Sequence, residues 1–428
     1  MVIHDEVKAL NNTVGAASPL GTTGPALFSR SRLISILLIL DLAYVINAMD
    51  RQVFPILVKP IAAELSLAPA QFGLLATVFT LGLGLAALPA GYISDRIGRK
   101  NMIQTGLIIF SIATGLQGVA HGFLDMTAYR VLSGIGEGAQ NAALYAAVGV
   151  YFHRNRSLAV GTLNVGFGVG AFIGPLFGNY ALQLSGSWRA PLFIFAILGL
   201  VVLLVVQFGV PKSLTDSAGN GDEIENAPQS EVRLFNRNVV GCMIVATVSG
   251  FAIYGYLGLY PTFLQDAGHF TSAQASLIFG MFGVGALASI PIGLAADRWN
   301  QKALNIIGLL GLMVVGGLMF AVPLPMGAHM VLTVLMGVCF TGILYLNTNT
   351  LMQRSVPQHR VGTAVGLFVA ALYIPASIAG YVFGSLRVEL GWAGAGLIII
   401  GVIPSLGLIA MLFVTNPPKA SSLNPTAP

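Results

Sequence analysis

The chain has 428 residues, of which 55% are hydrophobic and only 9% charged, with a net charge of +5 and a mean hydropathy of +0.81. Soluble domains carry about 25% charged residues, so a cytosolic enzyme, a DNA-binding protein and a disordered scaffold are all excluded. Twelve helices of about 20 apolar residues need about 240 residues, close to the hydrophobic share, and predict an all-α polytopic membrane protein.

In chain order, residues 1–32 form a polar tail of mixed charge, without the apolar core and small-residue cleavage site of a signal peptide. Apolar runs then start near Leu33, Gln71, Met102, Leu124, Leu158 and Pro191, filling 33–210 with six predicted spans. Residues 211–238 hold Asp222, Glu223, Glu225, Glu231 and Pro228 among Gly, Ser and Asn, and read as a solvated linker. Six further spans start near Val239, Ala273, Leu304, Met330, Val361 and Trp392 within 239–415, and 416–428 is a second tail. Cys242 and Cys339 sit in apolar runs with no metal or disulfide spacing. No Ser/His/Asp set, metal cluster or GxxxxGK[ST] loop occurs, so the sequence implies neither an enzyme nor a cofactor nor ATP-driven transport.

Lys and Arg set the orientation. With the N-terminus in the cytoplasm, sixteen of the twenty-one fall in cytoplasmic segments, and Lys59, Arg189 and Arg387 fall outside. Both termini are therefore expected in the cytoplasm, in a bacterial inner membrane.

The halves repeat. Gly91-Tyr-Ile-Ser-Asp95-Arg96-Ile-Gly98-Arg99-Lys100 follows span two, and Gly293-Leu-Ala-Ala-Asp297-Arg298-Trp-Asn-Gln-Lys302 follows span eight. Ala70-Gln71 matches Ala273-Gln274, and Leu132-Ser-Gly134-Ile matches Leu335-Met-Gly337-Val. The repeat predicts two six-helix bundles with a substrate path between them. The loop motif, its weaker copy and the six-plus-six layout together resemble the major facilitator superfamily. That resemblance implies a gating role for Gly91, Asp95, Arg96, Asp297 and Arg298. From the residues alone, Asp95 can accept from a helix N-terminus or an arginine, and the basic residues set topology.

Few ionisable groups lie at membrane depth: Asp41, Asp50 and Arg51 in span one, Arg130 and Glu137 in span four. A charge there costs on the order of 3 kcal/mol and needs a partner, water or a proton. Asp50 lies about 13 Å from the outer flank of span one and Glu137 about 18 Å from that of span four. Half the hydrocarbon core is about 15 Å, so both belong near the midplane. Arg130, Gly134 and Glu137 share one helix stripe, either as a structural ion bridge or along a pathway. Asp50 and Arg51 diverge by about 100° on the helix, so one faces the cavity and the other a neighbouring helix. Spans seven to twelve place Thr333 and Phe340 opposite Arg130 and Glu137. Their candidate polar groups are neutral: Tyr254, Tyr256, Tyr260, Tyr345, Asn347, Asn349 and Tyr373.

Asn47-Ala-Met-Asp50-Arg51, Arg130-x-x-x-Gly134-x-x-Glu137-Gly138, Arg156-Ser-Leu-Ala-Val-Gly161-x-x-Asn164-x-Gly166 and Ser187-Trp188-Arg189 resemble the anion:cation symporter family. The resemblance implies that Arg51 binds a substrate carboxylate and that Asn164 lies on its path. It also implies that Asp50 and Glu137 couple protons, with Arg130 beside them. Tyr254, Asn347 and Tyr373 complete the expected substrate site from the second half. Ala48, Met49 and Phe79 depart from the pattern, so the anion stays open. Spinster-like lipid transporters, which share the tandem Asp-Arg and the acid in span four, and multidrug or metabolite exporters are the alternatives. The expected partners are a small organic anion, protons and membrane lipids, with the chain a monomer and no nucleic acid involved.

Overall fold

The computed structural model describes residues 30–151, 156–212, 234–289, 291–292, 299–356 and 361–415. Its described residues form twelve helical rods. In the first half these are α1 (Arg30–Glu64), α2 (Pro69–Thr77 continuing as Phe79–Ile97), α3 (Arg99–Gln117), α4 (Phe123–Tyr151), α5 (Arg156–Ser185) and α6 (Arg189–Gly209). In the second half, α7 is Arg237–Asp266, α8 begins as Ser272–Ala286 and α9 is Gln301–Ala321. The tenth rod, α10, runs through Met326–Gly337, a π-helical stretch Val338–Tyr345 and Leu346–Arg354. Rod α11 starts with Val361–Ala376 and extends into Ala379–Gly396. That segment bends at Gly391, whose φ of 68° suits glycine, and α12 follows, ending in Ser405–Phe413. Each rod begins within four residues of the start expected from the apolar runs. Most of the expected linker, 213–233, lies outside the described residues, as do residues 1–29 of the first tail and all of the second.

Seven stretches among the described residues are long and apolar enough to cross a membrane, and α1 and α4, which carry the buried charges, are not among them. The outer faces are greasy. On α6, Phe193, Ile197, Leu200, Leu204 and Phe208 are exposed, as are Ile307, Leu310, Val314 and Leu318 on α9. Lipid is the solvent that makes such faces stable.

The sequence repeat is a repeat of contacts. Gln71 Oε1 accepts from the Ala68 amide at 2.9 Å and Gln274 Oε1 from the Thr271 amide at 2.9 Å, so the paired glutamines close the N-termini of α2 and α8. Gly134 of α4 lies against the Phe79 carbonyl of α2, and Gly337 of α10 against the Phe282 carbonyl of α8. Close backbone approach of this kind holds helices together where hydrophobic driving force is weak.

The bundles, α1–α6 and α7–α12, are sealed together over the half of the molecule farther from the first and last helix ends, called distal here. Gly73 and Gly380 meet backbone to backbone, and Gly384 meets Pro69. Thr77 Oγ1 donates to the Ser377 carbonyl at 2.8 Å and accepts from the Gly380 amide at 3.2 Å. Ser272 donates to Asn179 Oδ1 at 2.6 Å. Asp266 of α7 bridges Lys59 of α1 at 2.7 Å and Arg387 of α11 at 2.8 Å.

Candidate functional site: a charge cluster beneath the bundle interface

The site is built on α1. A row of glycines on α5 brings the two backbones together: Gly170 and Gly174 lie against Val45, Ala48 and Met49, and Gly178 against Val53. Ala48 and Met49 are thus packing residues. With that face of α1 committed to α5, Tyr44, Asn47 and Arg51 share another face at i, i+3 and i+7.

Arg51 is 3% exposed and Glu137 is fully buried. Arg51 donates through Nε to Glu137 Oε2 at 2.9 Å and through Nη2 to Asn47 Oδ1 at 3.0 Å. Asn47 Nδ2 donates to Gln140 Oε1 at 3.2 Å, and Gln140 Nε2 to the Ala43 carbonyl at 2.9 Å. This closed ring fixes the guanidinium between α1 and α4. Arg51 also lines a narrow crevice with Gln52, Pro55, Ala76, Phe79, Tyr254 and Leu257, which come from both bundles. The crevice offers about 10 Å³, the scale of one water. Gln52 Nε2 has no partner there.

Asp50 turns the other way, as the helical angle requires, and its Oδ2 accepts from Thr114 of α3 at 3.0 Å. The Asp50 and Glu137 carboxyls lie within electrostatic range of each other. Asp50 Oδ1 and Glu137 Oε1 have no hydrogen-bond partner. Two buried carboxylates this close repel, so a proton is best shared between them or taken up by one of them.

Arg130 does not pair with Glu137, and the bridge that their shared stripe allowed is absent. Its guanidinium lies 3.8 Å from the centre of the Phe54 ring and 4.6 Å from that of Phe79. Its Nε donates at 3.2 Å to the Leu75 carbonyl, just before α2 is interrupted at Val78. Face-on aromatic contacts compensate a cation deep in the bundle. Phe79 therefore serves both arginines, its ring centre lying 5.8 Å from Arg51 as well.

Around Arg51 stand tyrosines from both bundles. Tyr44, Tyr254, Tyr345 and Tyr373 are all within electrostatic range of it. The Tyr254 ring contacts those of Phe79 and Tyr373, with centres 6.1 Å and 5.6 Å away. Tyr145 donates to Asn164 Oδ1 at 3.0 Å, and its hydroxyl oxygen lies 3.4 Å from that of Tyr44. Arg51, Asp50, Glu137, Arg130, Asn164, Tyr254 and Tyr373 thus come together. Asn347 does not visibly join them: it is buried and donates to the Ile343 carbonyl of its own helix. Tyr256 and Tyr260 point into the second bundle, their rings tilted by 34° with centres 4.6 Å apart, and the Tyr260 hydroxyl meets His329 at 2.9 Å. Asn349 is held by Gln353, and Asp41 abuts Gly166.

Gly91, Asp95 and Arg96 lie in the last turns of α2, where the structure describes only the backbone, and Asp297 and Arg298 lie outside the described residues. Sequence reasoning missed Tyr44, Tyr145, Gln52, Gln140 and Thr114. The i, i+3, i+7 spacing of Tyr44, Asn47 and Arg51 was a usable signal, as was Gln140 at i+3 from Glu137. A lone Thr114 in an apolar helix carried none.

Known proteins are similar to this chain over most of its length. The chain is 26% identical over 385 residues to the cis,cis-muconate transport protein of Acinetobacter baylyi, covering 85% of this chain and 92% of that one. It is 24% identical over 404 residues to a probable L-galactonate transporter of Escherichia coli, covering 89% of each. Among solved structures, a bacterial homologue of the human lysosomal transporter Spinster, inward-facing and occupied, superposes with a TM-score of 0.71 at 19% identity over 90% of this chain and 97% of that one, a likeness of fold. The family model of the Major Facilitator Superfamily matches residues 40–380, and the chain belongs to that superfamily of membrane transporters.

Proposed function

We propose that this transporter carries a small organic anion, a carboxylate of the sugar-acid or unsaturated-acid type, together with a proton, by alternating access of its two bundles. The observation that carries the reading is Arg51: a buried cation on the crevice between the bundles, held by a carboxylate that a proton can neutralise. The similarity to a cis,cis-muconate transport protein and to a probable L-galactonate transporter supports the substrate class.

Physical chemistry supplies the order of events. While Glu137 is ionised, Arg51 is matched and has little to offer an anion. A proton on Glu137 removes that match and leaves a desolvated guanidinium, which a substrate carboxylate then satisfies by two parallel hydrogen bonds. Proton and monoanion together add no net charge to the buried site, so the loaded bundles can rock without moving an ion through low dielectric. Gln52 supplies a free amide donor beside Arg51, and Tyr254 and Tyr373 close over the ligand from the second bundle. Asn164 lies farther along the path with Tyr145, and Asn347 joins it only if α10 turns. Asp50 shares the coupling proton, and Arg130 keeps the acids' field balanced.

Residues 33–210 and 239–415 act as the two moving bodies, joined by 211–238, with Gly91, Asp95, Arg96, Asp297 and Arg298 as gating residues at the cytoplasmic face. The positive-inside distribution makes the distal end the outer one, in a bacterial inner membrane with both termini in the cytoplasm. The working unit is a monomer among membrane lipids.

The test is uptake into liposomes containing the purified protein, with labelled cis,cis-muconate, galactonate and a lysolipid, with and without an acid exterior. Acid-driven accumulation of a carboxylate, abolished in Arg51→Gln, is expected. Lysolipid movement without carboxylate movement overturns the reading in favour of a lipid carrier.

A further inference from the structure

We infer that protons reach the Asp50–Glu137 pair through a water-holding file inside the first bundle, along Gln117 and Thr114 of α3, apart from the anion's path between the bundles. The inference rests on the symport reading above. Its basis is a set of buried polar atoms gathered at one helix junction. Gln117 is 1% exposed and neither its Nε2 nor its Oε1 has a partner. Arg130 Nη2, Asp50 Oδ1 and Glu137 Oε1 are likewise buried and unpartnered. Buried polar groups in folded proteins are almost always satisfied, by water where no side chain reaches them.

The helix register places these atoms in order. Thr114 of α3 meets Ser133 of α4, oxygen to oxygen at 3.5 Å. Because α3 and α4 run antiparallel, a step of three residues along each from that contact brings Gln117 level with Arg130, one turn nearer the distal end. The Thr114 hydroxyl donates to Asp50, and Asp50 neighbours Glu137. The file therefore descends from Gln117 and Arg130 to Thr114 and Asp50 and ends at Glu137. Above Gln117 the helix stops, and the turn carries exposed His121 and half-buried Asp125 at the distal surface. An amide, a guanidinium and two carboxyls supply the mixed donors and acceptors that bound waters need.

The charged groups facing Asp50 are Arg130 and Glu137 from α4, and α3 faces it with Thr114. A hydronium at the distal surface gives up its proton to the file, and the proton arrives as an O–H bond on Asp50 Oδ1. Transfer to Glu137 Oε1 breaks that bond, forms the new one and cancels the charge that held Arg51. Return of the proton to water on the opposite side restores both carboxylates. Of the four buried charged groups the anion meets only Arg51, whose crevice faces α2 and α7.

Gln117→Leu and Thr114→Val remove the polar atoms at nearly constant volume, and Thr114→Ser keeps the hydroxyl. With cis,cis-muconate as probe, acid-driven initial uptake should fall at least about tenfold in the first two, while counterflow at equal pH on both sides persists and Thr114→Ser matches wild type. A parallel loss of uptake and counterflow, or unchanged driven uptake in both variants, overturns the inference. Wild type measured in D2O is the check that needs no folded variant: driven uptake should slow more than counterflow, and equal slowing overturns the file. Wild type that exchanges muconate yet ignores an acid exterior overturns the symport reading and this one together, whereas driven wild type with driven variants overturns this one alone.

Discussion

Replacing Glu137 by Gln tests the coupling directly, because the amide keeps the carboxylate's shape and removes its charge. Glu137 is fully buried and its Oε2 stands 2.9 Å from Arg51 Nε. Breaking one side of a buried ion pair costs about 3–5 kcal/mol. The Gln carbonyl can still accept from Nε, which recovers about 1 kcal/mol, so the folded protein should lose about 2–4 kcal/mol. The functional consequence is sharper. One proton moved down a gradient of one pH unit supplies about 1.4 kcal/mol, enough for about a tenfold accumulation of anion. Without a titrating group at this position the accumulation ratio should collapse to one, and Arg51, already unmatched, should bind anion without acid. The assay is uptake of labelled cis,cis-muconate into liposomes with an acid exterior, read beside counterflow at equal pH. A Glu137→Gln protein that still concentrates muconate under the acid gradient refutes the assignment of the coupling proton to this carboxyl.

Gly134→Ala and Gly337→Ala should each set a Cβ onto a backbone carbonyl, of Phe79 and Phe282 respectively, which cannot step aside. Each should cost about 3 kcal/mol and lower the thermal midpoint in detergent by similar amounts, as the repeat requires. Lys59→Ala removes the α1 side of the bridge to Asp266 and leaves Arg387 in place. This partly exposed contact is worth up to about 1 kcal/mol, so thiol labelling of a cysteine placed at the distal seam should rise by up to about fivefold, and unchanged labelling refutes a latch. At the start of α4, partial burial works against the Asp125 charge. Its carboxylate nevertheless accepts from the His121, Gly122 and Met126 amides and is held below the usual carboxylate range. A depressed value means that its stabilisation is complete above about pH 4 and lost as pH falls through the folded value. Asp125→Ala should therefore lower the melting temperature at neutral pH, by the equivalent of about 1 kcal/mol for a lost cap, and shift it least in acid.

Much of this protein was legible without coordinates. Apolar runs between polar breaks located the start of every rod, because a spanning segment is mostly apolar in lipid. Helices α1 and α4 fall short of a fully apolar span since they carry the buried charges. The repeat was legible because the same contacts had to be made twice: a glutamine closing α2 and α8, a glycine under α4 and α10. The membrane-depth charges announced themselves by their cost. Side-chain partnership was less legible. Arg130 and Glu137 share a stripe, yet one lies between two phenyl rings and the other across from Arg51, since a long guanidinium chooses among several neighbours within its reach. Of the three tyrosines of α7 only Tyr254 was expected in the substrate site, and Tyr256 and Tyr260 do point into the second bundle.

The amino-acid order by itself determined the number of helices, about where each begins, the internal duplication and which few residues had to be answered inside the membrane, all properties of single segments measured against lipid. Only the tertiary structure decided who answers whom: Arg51 to Glu137, Asp50 to Thr114, Arg130 to Phe54, and Tyr254 toward the crevice. Those pairings depend on how far each helix is rotated about its axis, and that rotation is set by glycine contacts between helices distant in the chain.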